Sequence, residues 1–204
     1  MQSWNEINQW RKAKRSELLA ERLALSREAR ERAASGIVEQ LKRHGPPALH
    51  RSVGFYWPIK GEPDLRAFVR ELIEQGAEAA LPVVVAKNQP LEFWRWEIGT
   101  RLKRQSVWGI PVPAERIPAQ PAVLLAPFIG FDEAGYRLGH GGGYYDRTLA
   151  SLGSRPFVIG VGLESGRLET IYPQPHDIPL DMIVTEAGVL HGTAARPELN
   201  PASG

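Results

Sequence analysis

The sequence contains no cysteine in 204 residues. This absence excludes thiol nucleophiles, disulfide frameworks and thiolate metal sites, and it agrees with a reducing, cytoplasmic location. No apolar run approaches the ~20 residues that a membrane-spanning helix needs. The N-terminal segment, with Glu6 and no apolar stretch before Arg11, is unlike a signal peptide. We therefore predict a soluble, cytoplasmic protein with no membrane partner.

The chain also has little excess of either positive or negative charge. The 25 Lys and Arg nearly balance 23 Asp and Glu, and the formal net charge of +2 does not argue for a nucleic-acid binder. The distribution is uneven, because residues 1–43 carry ten of the basic residues against six Glu. With 43% hydrophobic residues the chain has the composition of a folded globular protein, which excludes disorder or a fibre as its main state.

Helical and extended apolar patterns alternate along the chain. Residues 4–44 have helical spacing, which predicts two helices, the second capped by Ser26. Two more helices are predicted, the first capped by Asp64 and the second at 144–152, and strands are predicted at 52–57, 79–86, 91–96, 122–128, 157–163 and 182–185. This alternation predicts an α/β fold with a mainly parallel sheet sandwiched by helices. We expect one domain over residues 1–190 and a flexible tail at 191–204.

The most informative segment lies between a predicted buried strand and a predicted helix. Residues 137–147 read Arg-Leu-Gly-His-Gly-Gly-Gly-Tyr-Tyr-Asp-Arg. The glycines allow backbone N–H groups to approach an anion closely, and the following helix N-terminus adds partial positive charge. The spacing matches neither the Walker loop nor G-x-G-x-x-G. We interpret the segment as a phosphate-binding loop; the alternative is a flexible turn that closes onto a helix.

Charged residues elsewhere are candidate partners of such a loop. Asp146 and Asp177 are candidate Mg²⁺ ligands, because Mg²⁺ commonly takes one or two carboxylates plus water and phosphate oxygens. Each Asp alone could equally be a helix cap or a surface group. Arg11 and Arg15, four residues apart on the first predicted helix, could bind a triphosphate or could belong to a solvated helix face.

Aromatic residues at predicted strand ends suggest a site for a flat heterocycle. Trp57 and Trp108 could stack on such a ring while Glu62 accepts its N–H groups, although core packing is the usual fate of Trp. His140, among the glycines, could contact a phosphate.

Together these residues resemble the 5-formyltetrahydrofolate cyclo-ligase family, also called methenyltetrahydrofolate synthetases, over nearly the whole chain. The glycine-rich block at 139–147 is the most specific part of the resemblance. The resemblance implies ATP-dependent closure of 5-formyltetrahydrofolate to 5,10-methenyltetrahydrofolate, with release of ADP and phosphate, in a three-layer, Rossmann-like, CoA-transferase-like fold. It implies Mg²⁺ as cofactor and ATP and a reduced folate as small-molecule partners. We expect a monomer with no nucleic-acid partner.

Carried over by position, the resemblance also implies site residues. Those expected to bind ATP are Arg11, Lys12, Ala13, Lys14, Arg15, Arg137, Leu138, Gly139, His140, Gly141, Gly142, Gly143, Tyr144 and Tyr145. Those expected to bind the folate are Trp57, Glu62, Trp108, His140, Gly141, Gly142, Gly143 and Tyr144. Asp146 and Asp177 are expected to bind Mg²⁺. Arg15, His140 and Tyr145 are the expected catalytic residues, and no general base is evident in the sequence.

Some positions depart from the family pattern. Arg11 replaces a common Lys, Gly166 stands where many relatives carry Gln, an aromatic often found near Leu163 is replaced, and Val112 replaces a frequent acid. The Gly166 departure favours an alternative, a paralogue that uses ATP on another formyl or amide heterocycle. A second alternative is a non-enzymatic module that binds nucleotide or RNA through its basic helix.

Overall fold

The computed structural model describes residues 3–105 and 109–192 as four α-helices and thirteen strands. The helices are α1 (Trp4–Ala24), α2 (Arg27–His44), α3 (Arg66–Glu74) and α4 (Tyr144–Ser151), with 3-10 turns at Pro47–His50 and Glu164–Gly166. The strands are β1 (Ser52–Gly54), β2 (Glu78–Val83), β3 (Glu92–Trp96), β4 (Leu102–Arg104), β5 (Pro111–Pro113), β6 (Pro118–Ala119), β7 (Val123–Pro127), β8 (Gly130–Asp132), β9 (Arg137–Leu138), β10 (Phe157–Val161), β11 (Arg167–Leu168), β12 (Met182–Thr185) and β13 (Gly188–His191).

Eight of these strands form one sheet in the order β13-β12-β10-β7-β1-β2-β3-β6. The five central strands from β12 to β2 are parallel, and β13, β3 and β6 add antiparallel edges. This sheet confirms the predicted α/β fold. The chain order reverses between β1 and β7: β2 follows on one side of β1, and β10 and β12 follow on the other side of β7. Ligands in open α/β sheets bind at such a reversal, outside the carboxyl ends of the strands.

Very short strands account for most differences from the sequence-based prediction. The strands β8, β9 and β11 form a small separate sheet, and β4 pairs with β5. Strands of two or three residues carry no readable period, so β4, β8, β9 and β11 were not predicted, whereas prolines indicate a loop or short strand in the region of β5. His191, which we expected in the tail, ends β13 and pairs with Met182. The rest of the expected tail lies outside the described residues.

The helix starts follow local capping chemistry. Ser3 and Glu6 form a capping box at α1, and the Ser26 side chain accepts a hydrogen bond from the Ala29 N–H at the start of α2, as predicted. Asp64 is not the N-cap of α3, because Leu65 takes that position. Asp64 lies one residue before this N-cap, and its carboxylate accepts a hydrogen bond from the Arg66 N–H at 3.0 Å.

The core lies on both faces of the sheet. Along β7, Val123 and Leu125 join the cluster formed with α2 and α3, while Leu124 and Ala126 join a second cluster that includes Leu149 of α4. The strand is therefore buried on both faces, which explains its uninterrupted apolar run.

The helix α1 is different from the other helices because its buried residues are Arg11, Leu18 and Arg22. It therefore attaches to the body of the protein largely through guanidinium groups rather than through an apolar stripe. No helix in the two described stretches is long and apolar enough to cross a bilayer.

Gly162 provides a test of core packing. An alanine Cβ there would lie 2.2 Å from a ring carbon of Phe128, so we expect Gly162→Ala to lower the free energy of unfolding by about 1–3 kcal/mol. The matched control is Gly153→Ala, where a Cβ meets no described atom within 4 Å. Urea unfolding measures the difference in unfolding free energy between the two variants, which should show the same slope of free energy against urea concentration. Equal midpoints for the two variants would contradict the packing assigned to Phe128.

Candidate active site

The glycine-rich turn at 139–143 joins β9 to the N-terminus of α4. Gly141 and Gly143 have φ angles of +88° and +62°, in the left-handed region that other residues rarely adopt. Gly143 is also the N-cap of α4, and a Cβ there would lie 2.8 Å from the Arg147 guanidinium. The turn therefore needs glycine at these two positions for its own geometry, whether or not a phosphate is bound.

Three arginines of α1 point toward this end of the sheet. Arg11 donates to both carboxylate oxygens of Asp177, at 2.8 and 3.2 Å. Arg15 Nε donates to the Gly139 carbonyl at 2.8 Å, and its half-buried position beside Arg11 lowers its pKa from the usual value. Arg22 donates to the carbonyls of Lys60 and Phe128. The helix thus brings cations to both the glycine turn and the loop that follows β1.

The two predicted metal ligands lie close to each other, and each is paired with an arginine. The Asp146 Oδ1 atom accepts from Arg137 at 2.8 Å and from the Ile178 N–H at 3.1 Å. Asp177, the residue next to Ile178, is bound by Arg11 and also accepts from the Gln174 N–H at 2.7 Å. The structure therefore brings both carboxylates to one region, as the sequence analysis expected.

These carboxylates differ in how well they fit a magnesium ion. Both oxygens of Asp177 already accept hydrogen bonds, and its side chain is 8% exposed. Asp146 is 18% exposed, and its Oδ2 accepts no hydrogen bond from the described residues. The described residues hold no cluster of three or more acidic, His or Cys ligands. A single open carboxylate oxygen suits Mg²⁺, which completes its shell with water and phosphate oxygens.

The loop after β1 meets the glycine turn through a pair in which the carboxylate is buried and the imidazole is partly exposed. Glu62 Oε1 lies 2.9 Å from His140 Nε2, and Glu62 Oε2 accepts from the Ile59 N–H at 2.9 Å. The Glu62 side chain is 3% exposed. Because β1 and β7 are neighbours in the sheet, this pair lies at the reversal of strand order described above.

A buried phenol lies beside this pair. The Tyr145 hydroxyl is inaccessible to solvent and has no hydrogen-bond partner within the described ranges. Burial, with a further contribution from the Glu62 charge, raises the pKa of Tyr145 well above its usual value. An unpartnered buried hydroxyl is rare in proteins, which suggests that a bound molecule supplies its partner.

The other predicted site residues are placed as follows. Lys12 and Ala13 are exposed, and Lys14 pairs with Glu17 of the same helix, so these three do not join the arginine face. Leu138 is fully buried and can offer only backbone groups.

The Tyr144 ring lies 4.8 Å from the Arg147 guanidinium, whose Nη2 also donates to the Gly142 carbonyl at 2.5 Å. Trp57 packs on the core with Arg66 4.7 Å above its ring, and Trp108 lies outside the described residues.

Sequence reasoning missed Arg22, which belongs to the same helix face as Arg11, Arg15 and Leu18. The spacing of these residues, four, three and four, is the period of one helix face and could have indicated that the basic residues point inward. It was not recognised because an inward helical stripe is normally apolar.

Comparisons with known proteins identify relatives along most of the chain. Residues 7–186 match a model described as the 5-formyltetrahydrofolate cyclo-ligase family. A 5-formyltetrahydrofolate cyclo-ligase of Mycolicibacterium smegmatis is 33% identical over 169 residues, covering 78% of this chain and 83% of that protein. The solution structure of Aquifex aeolicus 5,10-methenyltetrahydrofolate synthetase is 31% identical, with a TM-score of 0.77 over 91% of this chain and 94% of that one. A 5,10-methenyltetrahydrofolate synthetase from Mycoplasma pneumoniae is 25% identical, with a TM-score of 0.71 over 86% of this chain and 98% of that one.

The pair between Arg11 and Asp177 should be strongly coupled. Both side chains are 8% exposed, so removing one partner leaves an uncompensated buried charge. We expect Arg11→Met to lower the free energy of unfolding by about 3 kcal/mol. A double-mutant cycle with Asp177→Asn measures the coupling.

The matched control is the surface pair of Arg27 and Glu31. Its N–O distance of 2.7 Å is similar, but the side chains are 83% and 61% exposed. Solvent screening should leave this pair without measurable coupling. Similar coupling in the two cycles would contradict the buried position of Arg11.

Proposed function

The chain belongs to the 5-formyltetrahydrofolate cyclo-ligase family, and we propose that it closes 5-formyltetrahydrofolate to 5,10-methenyltetrahydrofolate while ATP is converted to ADP and phosphate. The observation that carries the proposal for this site is the convergence of three parts of the chain. The α1 arginines, the glycine turn and the 174–178 loop are joined by the hydrogen bonds of Arg15, Arg11 and Asp146. A cytoplasmic location and a monomeric state that binds neither nucleic acid nor membrane belong to the same proposal.

The charge of this region suits a triphosphate. The network contains five arginines, at positions 11, 15, 22, 137 and 147, against three carboxylates, at 62, 146 and 177. An excess of two positive charges therefore remains before any ligand binds. Arginine forks and glycine N–H groups are suited to phosphate oxygens.

The reaction itself requires activation of a formamide. The formyl oxygen attacks the γ-phosphorus, the bond to the β-γ bridging oxygen breaks, and ADP leaves with that electron pair. The oxygen bound to the formyl carbon is then a phosphate ester, a much better leaving group than oxide. N10 attacks this carbon, loses its proton, and phosphate departs to leave the methenyl bridge. Positioning and electrostatic stabilisation supply most of the catalysis in such transfers.

Within this scheme the residues have distinct proposed roles. Arg15 and the glycine turn hold the phosphates, and the buried Tyr145 hydroxyl, which has no partner among the described residues, donates to a substrate oxygen. The region after β1, with Trp57 and Glu62, faces the pterin ring. Mg²⁺, when bound through Asp146, would neutralise phosphate charge during transfer.

The two alternatives lose their supporting observations. A Cβ at Gly166 would lie 2.5 Å from the Ile129 carbonyl oxygen, so glycine there is explained by packing rather than by a different substrate. Val112 is likewise buried beside Val83 and Trp94. The RNA-binding alternative loses part of its outward basic surface, because Arg11 and Arg22 are buried while Lys12 is exposed.

Removing the open carboxylate oxygen of Asp146 should lower turnover while the fold is kept. We expect Asp146→Asn to keep the circular dichroism of the parent protein and to lower methenyl formation by roughly 100-fold or more, because phosphate charge is no longer balanced through a metal. The assay mixes protein, ATP, Mg²⁺ and 5-formyltetrahydrofolate and follows methenyl absorbance. Adding a chelator to the parent protein should stop the reaction, and excess Mg²⁺ should restore it.

The control is Glu97→Gln, which removes an exposed carboxylate that pairs with Arg95. It should retain the parent rate. No methenyl signal from folded parent protein would refute the proposed function, while an unchanged rate in Asp146→Asn would remove Asp146 from the metal site.

A further inference from the structure

The Glu62–His140 pair has the geometry of a carboxylate-oriented imidazole. Glu62 Oε1 faces His140 Nε2 at 2.9 Å, and its other oxygen is held by the Ile59 N–H. A carboxylate at this distance favours the tautomer in which Nε2 carries the proton. The Nδ1 atom is then a lone-pair acceptor, and it has no partner among residues 3–105 and 109–192.

A proton acceptor must be open to its substrate while the carboxylate that orients it stays fixed, and the exposure of these two side chains differs in this way. Glu62 is 3% exposed and His140 is 26% exposed, so the carboxylate is fixed while one edge of the imidazole remains open. The glycine turn carries the imidazole, and the loop after β1 carries the carboxylate. The open edge thus stands on the glycine turn, and Tyr145, whose buried hydroxyl has no partner within the described ranges, follows that turn by two residues.

We propose that His140, oriented by Glu62, is the general base that removes the N10 proton during ring closure; this inference rests on the proposed function. N10 uses its lone pair to form the bond to the formyl carbon, and its proton moves to His140 Nδ1 while the N–H electron pair remains on nitrogen. The carbon–oxygen bond then breaks, and its electron pair leaves with phosphate. The imidazolium is stabilised by Glu62 through Nε2–H and later releases its proton to solvent.

Charged and phenolic groups from several elements surround the Glu62–His140 pair. Arg22 of α1 faces Glu62, and burial lowers the pKa of Arg22 from the usual arginine value. Burial raises the pKa of Tyr56 and of Tyr145, and Glu62 adds to both shifts. Neither phenol therefore ionises in the neutral range. Arg15 lies against Gly141, the neighbour of His140, and Arg30 of α2 lies near Gly61.

The test is a single-turnover experiment with excess enzyme, ATP, Mg²⁺ and 5-formyltetrahydrofolate, in which ADP and the methenyl product are measured separately. In His140→Gln we expect ADP formation at nearly the parent rate and methenyl formation about 100-fold slower or more, because general base catalysis contributes about 10²–10⁴-fold.

Two further measurements distinguish loss of the base from a folding defect and from the loss of any histidine. Imidazole added to His140→Ala should restore part of the methenyl rate, which a folding defect would prevent. His50→Gln, a change at an exposed histidine of the 3-10 turn, should behave as the parent protein.

The outcomes are distinguishable. Parallel loss of ADP and methenyl in His140→Gln, or no loss of either, would overturn the assignment of His140 as the base. Failure of the parent protein to form any methenyl product would instead refute the proposed function.

Discussion

The buried pair of Arg11 and Asp177 sets the constraint on which the site depends. It joins the first helix to a loop 166 residues later in the chain. Removing two such charges from water costs several kcal/mol per ion, and only close, bidentate pairing repays that cost. Displacing α1 would leave Asp177 unpaired in a poorly hydrated place. The pair thus specifies where α1 lies, even if its net contribution to stability is small.

The same constraint explains why the first helix carries arginine where a helix normally carries leucine. The inward face of α1 holds Arg11, Arg15 and Arg22, with Leu18 between them. Long guanidinium side chains reach the carbonyl groups of Gly139, Lys60 and Phe128, which a compact apolar side chain would leave unsatisfied. The groups that attach α1 to the body of the protein thus include those that we propose to bind the anion.

Much of the fold was predictable because its signals are local. The apolar period identified α2 and β12, the Ser26 cap marked a helix start, and the run in β7 indicated burial on both faces. The small sheet of β8, β9 and β11 was not predictable, since its strands have three residues at most. It forms through pairings between distant segments, which local propensity does not encode.

The residue types of the candidate site could be predicted from the sequence, but the pairs that its charged residues form could not. Residue type and the glycine motif indicated Glu62, His140, Asp146 and Asp177 as site residues, yet nothing local indicates which charges neutralise one another. The pairing of Glu62 with His140 depends on the reversal of strand order between β1 and β7, because it places the loop after β1 beside the glycine turn.

The glycine motif alone is not sufficient for the proposed mechanism. Its backbone supplies N–H groups and the left-handed turn, whereas its charged partners come from 124 residues away for Arg15 and 78 residues away for Glu62. A loop with the same glycines but without α1 and the loop after β1 would bind an anion with no means of orienting His140. The sheet topology is therefore what brings the glycine turn together with the groups to which we assign phosphoryl transfer and proton removal.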